Sequence, residues 1–315
     1  MKLLRLIPDN TSIPFMKARK ATIPIALALV IASILGYLVL GFNFGIDFTG
    51  GLLMEVHKTS GSADLSKVRG DIEGLKLGDA QVQGIGSGAD VLIRLGEQPG
   101  GEKAQQAAVE KVRTQLGSDY EFRRVEVVGP AVSSDLKFHA VIAVVVSLLL
   151  ILGYLWFRFE WQFAVGAVIT TIHDVILTLG FMAIFQVSFD LPILAAILTI
   201  VGYSLNDTVV IYDRIREMMR KYKKMPMTEL IERSINETLS RTVVTALTVF
   251  IASASLLIFG GDALRGFSFI LVVGVVIGTY SSIVVSAPLL IFLNLRVGDD
   301  KAPAKPAGKG TTAKA

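Results

Sequence analysis

Six separate runs of roughly twenty apolar residues govern what this chain can become. A helix rises about 1.5 Å per residue, so ~20 apolar residues cross a hydrocarbon core of ~30 Å. The runs are Ala21–Phe42, Phe138–Phe157, Gln162–Phe185, Leu191–Tyr212, Arg241–Phe259 and Phe267–Leu293. They predict an integral membrane, α-helical protein with six transmembrane helices. The first run is too long for a signal-peptide core and reads as an uncleaved anchor. Composition agrees: with 52% hydrophobic and 18% charged residues and a mean hydropathy of +0.59, much of the apolar surface has to face lipid.

The basic residues are unevenly placed. Lys2, Arg5, Lys17, Arg19 and Lys20 precede the first run, and Arg214, Arg216, Arg220, Lys221, Lys223, Lys224 and Arg233 lie between the fourth and fifth. The short connections "QVSFDLP" and "FGGDALRG" on the other side carry only Arg265. The positive-inside rule then places segment 1–20, loop 213–240 and tail 294–315 in the cytoplasm. The tail, rich in Pro, Ala, Gly and Lys, is expected to be disordered. "MPMTELIERSINETLS" (225–240) reads as a short amphipathic helix along the cytoplasmic interface, capped by Thr228, with Ile231 and Ile235 on one face. The Lys/Arg clusters flank apolar runs, which makes membrane lipid the partner and argues against nucleic acid. Without cysteine, disulfides and thiolate chemistry are excluded.

Residues 43–137, between the first two spans, form a polar external domain. "GGLLMEVHK" reads as a strand and "SADLSKVRGDIEGL" as a helix; "AQVQGIGSGADVLIRL" reads as two strands about a Gly-rich turn. "EKAQQAAVEKVRTQLG" is a second helix and "YEFRRVEVVG" a last strand. This β-α-β-β-α-β order is the ferredoxin-like α+β pattern. "GIGSG" (84–88) is a hairpin turn and not a phosphate loop, because a strand follows it and supplies no helix N-terminus. His57 is an isolated surface ring. No catalytic constellation, metal cluster or nucleotide-binding loop stands out, so the chain reads as neither an enzyme nor an ATP-driven pump, with no cofactor and no metal.

Carboxylates within spans cost ~3 kcal/mol or more, and they usually mark an interior path. Asp207, preceded by Asn206, lies ~24 Å into the fourth span. Gly202 and Ser204 before it offer a face for close helix packing, as do Gly274 and Gly278 in the sixth. Arg241 opens the fifth span at similar depth. The residues alone leave it either a snorkelling helix-end arginine or the ion-pair partner of Asp207. His173 and Asp174, ~17 Å into the third span, are either a structural knot or part of a proton relay. Pro192 suits a helix start, while Pro288 predicts a kink.

Four motifs stand in order on this framework: "GFNFGIDFTGG" (41–51), "FRFEWQFA" (157–164), "HDVI" (173–176) and "GYSLNDTVVIYDRIRE" (202–217). Together they resemble the SecD/SecF family of protein-export membrane proteins, within the resistance-nodulation-division (RND) superfamily. The resemblance implies a six-span half that joins a SecD partner beside the Sec translocation channel of the bacterial inner membrane. It implies that protons are the coupling ion and that proton-motive force promotes movement of exported preproteins and their release on the periplasmic side. It makes the external domain periplasmic, Asp207 the essential intramembrane acid and Arg241, followed by Thr242, its basic partner. A further essential acid comes from SecD, so this half is expected to be inert alone. The competing expectation is half of an RND-type small-molecule or lipid exporter.

Overall fold

A computed structural model describes residue 8, residues 11–85 and 88–293, and residue 295, leaving aside the side chains of residues 262 and 263. The expected tail 294–315 lies almost wholly outside the described residues, as do Lys2 and Arg5.

Among the described residues, six helices are long and apolar enough to cross a membrane, which makes this a multi-pass membrane protein. They are α1 (Phe15–Leu40), α5 (Pro130–Arg158), α6 (Trp161–Phe185), α7 (Leu191–Lys221), α8 (Met227–Phe259) and the sixth span. The sixth is built from α9 (Gly261–Ser281), a π turn (Ser282–Ser286) and α10 (Ala287–Phe292). The short α2 (Ile46–Thr49) follows α1, and then comes the sheet domain: β1 (Gly51–Lys58), α3 (Leu65–Gly74), β2 (Ala80–Ile85), β3 (Asp90–Leu95), α4 (Gly101–Leu116) and β4 (Tyr120–Val128).

The sheet has the order β2-β3-β1-β4 with every neighbour antiparallel, the ferredoxin-like topology. Alternation dictates the core: Leu52, Met54 and Val56 of β1 point to one face, against Val68 and Ile72 of α3 and Val112 of α4. β2 and β3 form the hairpin expected around "GIGSG", whose residues 86–87 lie outside the described set. His57 is not isolated: its Nδ1 lies 2.6 Å from Asp90 Oδ1, which also accepts from Arg123. Strand pairing brings these residues together from 33 positions apart.

Helices reach further than the apolar runs. α5 starts at Pro130, directly after Gly129, so only one residue separates the sheet from the membrane helix. The helix thus begins at Pro130, which suits a first helical position, ahead of the apolar run that starts at Phe138. The expected 213–240 loop is largely helical. α7 continues to Lys221 and α8 begins at Met227, with Pro226 rather than Thr228 at its cap. The separate interfacial helix therefore does not exist: no Gly or Pro interrupts 227–259, and the segment is the first part of α8. Its Leu230, Ile231 and Ile235 bury in the same core as Ile211, Ile215 and Met218 of α7. Arg214 of α7 donates to Glu237 of α8 and ties the two extensions together, while Arg233 donates to the same carboxylate from within α8.

The bundle is lopsided. Half of the apolar window of α6 and of α7 is buried, and 44% of the sixth span, against 6% for α5 and 11% each for α1 and α8. α6, α7 and α9 are therefore the interior trio. Gly180 admits α1, since a Cβ there would meet Ser33 at 2.1 Å. The kink expected from Pro288 appears as the π turn just before it; the missing proline N–H releases a carbonyl one turn back.

Candidate functional site

The spacing of polar residues on α6, α7 and α9 brings two buried carboxylates into the centre of the trio. Asp174 of α6 is fully buried. Its Oδ2 accepts from Ser204 Oγ of α7 at 2.5 Å and from Ser281 Oγ of α9 at 2.7 Å, while Oδ1 lies 2.9 Å from His173 Nδ1. Asp207 of α7, 3% exposed, accepts from Ser282 Oγ at 3.1 Å. The buried Thr242 hydroxyl of α8 faces the same carboxylate without reaching hydrogen-bonding geometry. Tyr203 Oη lies 3.2 Å from Thr279 Oγ1 close by.

Small residues permit this closeness. A Cβ on Gly274 would meet Ile200 at 2.1 Å, and one on Gly278 would meet the Ser204 Cβ at 3.0 Å. These two glycines and Ser204 thus form the α7–α9 seam. Gly202 does not belong to it: nothing lies within 4 Å of a Cβ built there. Successive helical residues point ~100° apart, so Gly202 and Asn206, one turn apart, share the outer face of α7 while Ser204 and Asp207 point inward.

Arg241 also differs from expectation. It is exposed and makes no ion pair with Asp207. The neighbouring Thr242 is the residue that turns inward, because one step along a helix changes the face. Asp213, the second acid of the α7 motif, pairs instead with Arg158 at 2.7 Å near the helix end.

Sequence reasoning missed Ser281 and Ser282 and named Thr242 only as the residue after Arg241. The signal was available as "GTYSS" (278–282), five small or polar residues inside an apolar helix. It also missed a junction at the opposite end of α7. The segment 43–45 forms a β-bridge with the turn before α7, with Phe189 N donating to Asn43 O and Gly45 N to Phe189 O, each at 2.7 Å. Asp190 caps α7 by accepting from Ile193 N, and Leu191 N donates to Asp47. Among the described residues no group of three His, Asp or Glu is placed to hold a metal ion.

The chain is similar to known proteins. The family model "Protein export membrane protein SecD/SecF, C-terminal" matches residues 108–296, and the "SecD/SecF GG Motif" matches residues 38–57. The protein translocase subunit SecF of Rickettsia rickettsii is 44% identical over 296 residues, covering 92% of this chain and 95% of that one. The protein translocase subunit SecDF of Brucella abortus is 43% identical over 93% of this chain, which spans only 39% of that longer relative. The crystal structure of SecDF from Thermus thermophilus superposes with a TM-score of 0.82 at 34% identity, over 92% of this chain and 40% of that one.

Proposed function

The chain belongs to the SecD/SecF family, and from that premise we propose that it is a Sec translocase subunit that uses proton-motive force to promote protein translocation and periplasmic release. Asp207 is the proton-binding group, Arg241 its electrostatic partner, and Asn206 lies between Asp207 and the partner half. His173 and Asp174 are second-tier members of the relay. The observation that carries this reading is a mismatch between the two faces of α7. Asp207 is buried behind Ser282, whereas Gly202, Asn206 and the neighbouring Arg241 are left open at membrane depth. Polar groups and an arginine are costly against lipid, so this face calls for a protein cover. SecD is that cover, and Gly202 admits one of its helices closely. Fused SecDF relatives support the pairing.

The uneven distribution of Lys and Arg supports an inner-membrane orientation with the α7–α8 hairpin and both termini in the cytoplasm and the sheet domain in the periplasm. The Sec channel and exported preproteins are the remaining partners, lipid surrounds the assembly, and protons serve as the coupling ion with no other cofactor. The chain acts without a catalytic site of its own. The exporter alternative has no comparable support, since the relatives named above are translocase subunits.

The test reconstitutes the chain with SecD and the channel and follows late translocation with and without a proton gradient. Asp207→Asn and Arg241→Met are expected to abolish the gradient-dependent stimulation. Full stimulation with Asp207→Asn overturns the motor reading of that residue.

A further inference from the structure

Two adjacent serines hold the two buried acids, and each serine has two acceptors to choose from. Ser281 Oγ lies 2.7 Å from Asp174 Oδ2 and 3.1 Å from the Gly278 carbonyl oxygen. Ser282 Oγ lies 3.1 Å from Asp207 Oδ2 and 3.1 Å from the Thr279 carbonyl oxygen. A hydroxyl has one proton, so each serine donates either to its acid or to its own helix. An ionised carboxylate only accepts and therefore holds the serine proton. A protonated carboxyl is itself a donor; the serine then accepts from it and turns its own proton to the helix carbonyl. Each serine is thus a two-position reader of the charge on its acid.

The seam between them is mechanically distinct. α9 ends at Ser281 and the π turn starts at Ser282, so the two readers straddle a change of helical winding. Single π turns inside α-helices are frequent at functional sites. A change in winding at this seam moves one serine relative to the other.

The Asp174 site also has unused hydrogen-bonding capacity. His173 Nε2 and the Tyr280 hydroxyl are both buried with no partner, and their rings lie beside each other with centroids 6.2 Å apart. Buried polar atoms of this kind are where internal water is held. The ionisable groups around Asp174 are His173 on its own helix and Tyr280 of α9, with Asp207 of α7 and Arg241 of α8 further along.

We propose that Asp174, with His173, is a second proton-carrying site, and that Ser281 and Ser282 are positioning residues that couple it to Asp207. This deepens, and rests on, the reading of Asp207 as a proton site. A proton arriving at Asp207 turns Ser282 toward the Thr279 carbonyl, the seam adjusts, and Ser281 alters its bond to Asp174. A proton taken up at Asp174 Oδ2 is donated in a hydrogen bond to Ser281 or Ser204.

Infrared difference spectroscopy on the chain, assembled with SecD in lipid membranes, reads protonated carboxyls directly. Among the titrating carboxyl signals, those of SecD included, one is expected to vanish with Asp207→Asn and a different one with Asp174→Asn. Removing Asp207 is also expected to move the Asp174 midpoint by about one pH unit, the scale of one charge-assisted hydrogen bond. That movement disappears in Ser281→Ala/Ser282→Ala and survives in Ser281→Thr/Ser282→Thr, which keeps both hydroxyls. Absence of any titrating signal lost with Asp174→Asn, or coupling of equal size with and without the hydroxyls, overturns the proposal. The spectroscopic readout needs no export. A signal lost with Asp207→Asn but none with Asp174→Asn, with export still gradient-dependent, removes only the second site; signals lost with each variant and coupled, with export indifferent to the gradient, remove only the motor reading.

Discussion

Arg94 donates to the Ser188 hydroxyl at 2.7 Å and thereby fastens the sheet domain to the turn from which α7 starts. The same guanidinium donates to Asn43 at 2.7 Å, so one nearly buried side chain of β3 holds both strands of the 43–45/189 bridge. The sheet domain and the N-terminal end of the helix that carries Asp207 are thus tied through one guanidinium.

Replacing Arg94 with alanine should loosen this junction. Each charge-assisted bond is worth ~1.5–3 kcal/mol, so Arg94→Ala should markedly raise amide exchange at Gly45 and Phe189 while leaving exchange within the β1–β3 ladder nearly unchanged. Arg94→Lys should recover only part of the protection, because an ammonium lacks the planar fork. Wild-type protection at Gly45 and Phe189 in the alanine variant would show that the bridge stands without the guanidinium.

The junction should also respond to acid. Burial pushes the Asp190 carboxyl above the usual carboxylate range, and the Ile193 N–H opposes the shift. The Asp47 charge adds to it and Arg94 opposes it. A raised folded-state value means that the native protein holds this proton more tightly than the unfolded chain does. The Asp190 contribution therefore disfavours folding above the folded-state value, and stability recovers as pH falls through it. Thermal unfolding at stepwise lower pH should show Asp190→Asn lacking that gain relative to the parent. Parallel curves for the two proteins would exclude Asp190 as the responsive group.

Glycines on opposite faces of the bundle should behave oppositely. Gly274→Ala puts a methyl into Ile200 and Gly180→Ala puts one into Ser33, at 2.1 Å in each case. Overpacking of this kind costs about 1–3 kcal/mol, which melting of the purified chain should reveal. Gly202→Ala meets nothing within 4 Å and should melt like the parent, yet Gly202→Leu should weaken co-purification with SecD. Retained co-purification would place the partner elsewhere.

The Glu237 cluster should matter little to stability. It accepts from Arg214 and Arg233 at the exposed α7–α8 extensions. Exposed pairs contribute ~0–1 kcal/mol and weaken with salt, so Glu237→Gln should lower the melting temperature slightly at low ionic strength and negligibly at high. A large loss that persists in high salt would mark the hairpin as structurally essential.

The sequence by itself determined the six spans, the ferredoxin-like order of the sheet domain and the presence of acids within the spans. These follow from local properties: apolar run length, strand and helix periodicity, and the high cost of a carboxylate in lipid. Where the helices stop was less legible. The α7 and α8 extensions are polar on one side, so hydropathy ended at Tyr212 while helix propensity and a shared buried face carried α7 to Lys221. Direction was decided by tertiary structure. Asn206 and Asp207, or Arg241 and Thr242, are indistinguishable in depth, and only helix phase against α9 and α8 turns one of each pair inward. The serines at 281 and 282 gained meaning the same way: packing of three helices from distant parts of the chain, at a seam set by Pro288, brought them to the two acids.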